Sequence, residues 1–108
     1  MTRAHLENQM SLLAINRAHS GMQVAGSRLN ATANNTANMN TQGYRRYEAQ
    51  GMEAPDGVKV HVRRSAERGA NPVGDAIELK GAYLMYVANL KVVDRADEML
   101  GQTMDLLA

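Results

Sequence analysis

His5, His19 and His61 are this chain's only histidines, and they fall on three separate stretches of sequence. A zinc site needs four ligands at short, repeated spacings, usually with cysteine among them, and the chain has none. These histidines therefore read as surface or interface residues. Asp94, Asp97 and Glu98 lie at i, i+3 and i+4 and could imitate a carboxylate pair for acid–base work. Lys91 and Arg95 share that helix surface, so a solvated or intersubunit ionic face is the better reading. Gly21 and Gly26 have the spacing of a phosphate-binding loop, but Ser27 stands where the lysine is needed and no apolar strand precedes them. Asn30-Ala31-Thr32 and Asn34-Asn35-Thr36 match the glycosylation pattern by chance, inside a predicted helix. Arg45, Arg46, Arg63, Arg64 and Arg68, with Tyr44 and Tyr47 available for stacking, could form the footprint of a small nucleic-acid-binding module. Glu48, Glu53, Asp56 and Glu67 interleave with them, which favours an electrostatic contact between subunits. No catalytic residue, metal site, cofactor, small-molecule ligand or nucleic acid is expected.

The elements that must position these residues follow from composition and period. A chain of 108 residues is read as a single domain over 1–108. Phe and Trp are absent and Met occurs eight times, so the core must be aliphatic and adaptable. No stretch of about 18 apolar residues could span a bilayer, and the charged, amide-rich start MTRAHLENQM lacks the apolar centre of a cleaved signal. The net charge of +1 is unevenly spread: +2 over residues 1–44, +2 over 45–72 and −3 over 73–108. The two ends of the chain attract each other.

A first helix is predicted over 4–38, where Ile15, Ala18, Met22, Ala25, Leu29, Thr32 and Thr36 recur every three or four residues. Gly21 and Gly26 inside it suit the close approach of another helix. A second helix is predicted over 73–108, after Asn71-Pro72 and with Asp75 in its first turn. It carries two apolar stripes, one through Ile77, Gly81, Leu84, Ala88, Val92, Ala96, Met99 and Thr103, the other through Leu79, Tyr83, Tyr86, Leu90, Val93, Leu100, Met104 and Leu107. Equal lengths and opposite charges predict a mainly α fold, an antiparallel hairpin of two long helices. Ile15, Met22 and Leu29 are expected to face Leu84, Ala88 and Val92 within a subunit, with Met99 beside them. The second stripe is left for other subunits. Between the helices, 39–72 reads as a turn and a small β-hairpin linker, pairing about Arg46–Gln50 with Val58–Arg63 across Ala54-Pro55-Asp56-Gly57.

Asn34, Asn35, Asn38 and Asn40 crowd the end of the first helix, where their side chains compete for backbone groups and stop it. Asn40-Thr41-Gln42-Gly43 reads as a type I turn. A polar helix end and a turn explain one or two asparagines, not four. Ser20-Gly21-Met22, Leu29 and the run from Ala33 to Arg46 closely resemble the N-terminal signature of bacterial flagellar rod and hook proteins, approximately SGL…L…ANNIANxNTxGF/YKR. Glu78, Ala82, Tyr86, Ala88-Asn89, Lys91-Val92-Val93 and Ala96-Asp97-Glu98-Met99-Leu100 look like that family's C-terminal helix. Thr32 and Thr36 depart from it, standing where Ile, Leu or Val is usual. So do Leu84-Met85, in place of a polar or basic residue.

The resemblance implies a non-enzymatic structural subunit of the basal-body rod, whose terminal helices pack side by side in a helical tube. The short middle segment makes the small, proximal-rod type the better match. Asn34, Asn35, Asn38, Asn40, Thr41, Gly43 and Tyr44, with Tyr86, Asn89, Glu98, Met99 and Leu100, are by this resemblance the assembly residues. Its partners would be copies of itself, other rod and hook-type subunits and the flagellar export apparatus. Its place would be the periplasmic rod, reached by type III export without a cleaved signal. A helical chaperone or regulator that binds rod subunits without joining the rod would share every helix signal.

Overall fold

Thr2 starts the first helix, α1 (Arg3–Ala37): its hydroxyl oxygen accepts the amide of His5 and its carbonyl the amide of Leu6. The computed structural model describes residues 2–55 and 57–107. At its far end Asn38 caps α1, with its backbone and side-chain amides both donating to the carbonyl of Asn34. The chain then turns twice, through Asn38–Thr41 and Thr41–Tyr44, each closed by a backbone hydrogen bond. The expected turn is thus displaced by one residue. Gly43 takes its third position, with a φ of 74° that only glycine adopts without steric cost.

Strands β1 (Arg45–Ala54) and β2 (Gly57–Arg68) form a two-stranded antiparallel sheet. The hairpin is longer than its sequence pattern suggested, because the ladder continues through Gly51, Met52 and Glu53 to Ala54 opposite Gly57. Gly51 permits this. A Cβ there would lie 3.2 Å from Val58 and 3.4 Å from Val24 of α1, so the missing side chain lets the hairpin lie on the helix. At the tip, Gly57 has a φ of 145°, and a Cβ there would collide with the Ser20 side chain. Asp56 of the expected turn lies outside the described residues.

The last element, α2 (Pro72–Leu107), begins at an Asn71 cap, whose side-chain oxygen accepts the amide of Gly74 and whose carbonyl accepts that of Asp75. The two helices run antiparallel as a mostly helical rod of 62 × 23 × 15 Å. They meet along seven-residue repeats: Ser11, Ala18, Ala25 and Thr32 on α1 and Asp75, Ala82, Ala96 and Thr103 on α2 are all buried. Asn89, half-buried, fills the missing place in the second series, and Gly21 receives it. A Cβ at Gly21 would come within 2.6 Å of the Asn89 amide.

This contact overturns the expected pairing of the helices. Leu84, 55% exposed, and Ala88 stand on the outside of α2, and Val92, 42% exposed, and Met99, 48% exposed, only rim the contact. Ile15, Met22 and Leu29 are half-buried along its edge. The reason is size. A heptad line of alanine, serine and threonine brings helix axes close, and the larger side chains one position away are displaced to the flanks. Of the two glycines expected to admit a neighbouring helix, Gly21 does so within the chain, while Gly26 has nothing within 4 Å.

Candidate assembly surfaces and the asparagine clamp

The asparagines at the end of α1 act at different levels. Asn34 donates its side-chain amide to the carbonyl of Asn30, Asn38 forms the cap just described, and Asn40 is exposed. Thr41 donates its hydroxyl to the side-chain oxygen of Asn38. Asn35 is different: it is 3% exposed and faces the hairpin. Its oxygen accepts the backbone amide of Tyr47 at 2.7 Å, and its amide donates to the carbonyl of the same residue at 2.9 Å. The side chain thus offers β1 what a neighbouring strand would offer, a donor and an acceptor in register. The Tyr44 hydroxyl donates to the same Asn35 oxygen at 3.2 Å. This clamp holds Tyr47 just after the register slip between Arg45 and Tyr47. Aspartate, glutamine or leucine would lose the donor, the reach or both.

Two ion pairs tie the remaining elements to this corner. Arg46 on β1 pairs with Asp75 in the first turn of α2, and the Asp75 side chain is only 4% exposed. Arg28 on α1 reaches Glu78 at 3.4 Å and donates weakly to the sulfur of Met85. The sequence placed Arg46 in a basic group and Asp75 at a helix start but gave no sign of their pairing. Opposite charges 29 residues apart carry no local pattern. A polar pocket of about 290 Å³ lies between Arg28, Asn35, Arg46, Asn71 and Glu78. Carboxylates balance its guanidinium groups, so it has no net attraction for an anion.

The outer arginines of the hairpin are also engaged. Arg63 pairs with Glu48 at 3.3 Å, Arg45 donates to the carbonyl of Ser65 at 2.7 Å, and Arg64 donates to the Tyr47 hydroxyl at 2.8 Å. Arg64 also lies over the Tyr47 ring, 4.6 Å from its centre, and the tyrosine hydrogen bond holds its pKa above the ordinary value. Tyr44 and Tyr47 meet edge to face at 6.5 Å, so the two aromatics are spent on each other and on Arg64.

Against this corner stands a long apolar surface. The stripe of Leu79, Tyr83, Tyr86, Leu90 and Leu100 lies to one side of the buried heptad line, 36–59% exposed at its first four positions and half-buried at Leu100. Met104 and Leu107 prolong it at 66% and 70%. Among the described residues the buried apolar ones, by contrast, are Val24 and five alanines. Asn89 sits at the helix contact, Tyr86, Met99 and Leu100 on its flanks, and Glu98 outside. The structure thus gathers Asn35, Asn38, Thr41, Gly43 and Tyr44 at one corner and spreads the α2 residues along the rod. No helix among the described residues is long and apolar enough to cross a membrane.

A search of curated proteins gave no match. A family model described as flagella basal body rod protein matches residues 15–45, which run from the middle of α1 through the asparagine clamp to the start of β1. Over this segment, less than a third of its length, the chain is similar to the flagellar basal-body rod family.

Proposed function

We propose that this chain is a structural subunit of the rod, of the small proximal kind, which assembles helically with copies of itself and with other rod and hook-type subunits through the outer faces of its two helices. One observation carries this reading. The residues with most to gain from burial are on the outside, and the helix contact is made of alanine, serine, threonine and asparagine. Burying apolar area stabilises by about 25 cal/mol per Å², and alanines contribute little of it. Contiguous apolar surface of this extent on a 62 Å rod marks a protein interaction face.

The asparagine clamp serves that assembly by fixing the hairpin on one side of α1 and leaving the other side to neighbours. Because the heterologous contact of one copy with the next does not close, growth gives a helical tube rather than a ring. Alone, the chain should hold only part of its helix, and folding would be completed on assembly, a state suited to type III export through a narrow channel. The site of action is the periplasmic rod. Electron microscopy and mass spectrometry of isolated basal bodies test this: the chain should be found inside the rod. A chain found only bound to rod subunits outside the basal body would instead be a chaperone or regulator.

A further inference from the structure

We infer that the groove between α1 and α2 at the end away from the hairpin is a docking site for a second copy of this chain, and that the last turns of the second copy's α2 occupy it. This rests on the reading of the chain as an assembly subunit and names one of its contacts. Two adjoining depressions of about 370 and 410 Å³ share Met10, Ala14 and Val92. Met99 and Ala96 extend their floor along α2, and Arg17, Lys91 and Arg95 stand along them. None of these three cations has an ion-pair partner among the described residues. The groove also continues a surface already used within the chain. The hairpin tip reaches α1 at Arg17, where Glu53, Pro55 and Val58 meet it, and the groove begins at that residue.

An occupant must be apolar and acidic, and the last turns of α2 are both. Met104, Leu106 and Leu107 are 66, 83 and 70% exposed. Asp94, Glu98 and Asp105 fall on one line of the helix, exposed and without an ion-pair partner among the described residues. Gly101 lies on the same line with nothing within 4 Å of where its Cβ would be. A glycine there weakens the helix with no gain inside the chain, and it leaves room for the rim of a neighbour's groove. α2 cannot enter its own groove, since it forms one wall of it. The occupant is therefore another copy, displaced by about 20 Å along the helix, the rise from Val92 to Asp105.

The absence of cysteine gives a clean test. Ala14→Cys is introduced in one tagged chain and Leu107→Cys in another. Ala14 lies beside Ala96 and Met99, so Leu107 of the same chain is at least about 12 Å farther along the rod. That exceeds the roughly 7 Å between Cα atoms that a disulfide can bridge. Under mild oxidation the mixed dimer should exceed either homodimer by about tenfold, the ratio expected for a preferred contact. Lys91→Glu with Arg95→Glu in the groove copy should abolish it, and Glu98→Lys with Asp105→Lys in the docking copy should restore it, with the helix content of each separate chain unchanged by the substitutions. Homodimers in excess, no cross-link, or no rescue by the second pair would overturn the contact. Isolation of the chain from basal bodies separates the two readings: presence there without the cross-link removes this contact alone, and absence with the cross-link removes the rod reading alone.

Discussion

The two ends of this rod are built from the same pair of helices, but at one end α1 is covered on two sides within the chain and at the other on one side only. Next to the turn, α1 has α2 on one side and the hairpin on the other, and Val24, Ala31 and Asn35 are buried between them. At the far end α1 and α2 have only each other. Leu6, Met10, Leu12 and Leu13 are 47–68% exposed there, as are Met99, Met104, Leu106 and Leu107 at 48–83%. The polar clamp and the buried Arg46–Asp75 pair also belong to the first end, and the empty groove to the second. The difference shows how a small chain can be shaped enough to present a defined face and still depend on neighbours to bury its large side chains.

The comparison can be broken most severely at Arg46. Arg46→Ala leaves the Asp75 carboxylate buried without its partner, which should cost about 3–5 kcal/mol and free the start of α2 from the hairpin. Denaturant unfolding, with exchange rates read at residues 72–80, would register it. Asn35→Leu comes next. It strands the Tyr47 amide and carbonyl and should cost about 2–3 kcal/mol, seen as early proteolysis within the hairpin while α1 stays helical. Ala25→Leu overfills the small-residue line and should destabilise by about 1–3 kcal/mol. On the outer apolar stripe the effects should invert. Leu90→Ser is expected to change the free chain's stability by no more than about 0.5 kcal/mol, yet to block assembly in sedimentation measurements.

Helix positions were legible in the sequence to within one residue, 4–38 and 73–108 against Arg3–Ala37 and Pro72–Leu107, because the three-and-four spacing and the Asn71-Pro72 signal are local. The asparagine cluster was equally legible as a helix stop. What could not be read was the choice between faces on α2. The expected stripe held Ala96 and Thr103, which are buried, but also Leu84, Ala88 and Val92, which are exposed; the line that packs runs instead through Ala82, Asn89 and Ala96, since close helix approach rewards small volume over large apolar area. The clamp of Asn35 on Tyr47 and the pair of Arg46 with Asp75 were hidden for another reason. Each joins residues on different elements, and only the folded path brings them together.

Hydrogen exchange, compared between the free chain and the chain in isolated basal bodies, tests the central claim most directly. In the free chain, amides of residues 20–37, the hairpin and 72–89 should be protected, while those of 3–17 and 93–107 exchange rapidly. In the basal body both sets should be slow. Equal protection of the two ends in the free chain, or no gain at 3–17 and 93–107 on assembly, would contradict the account.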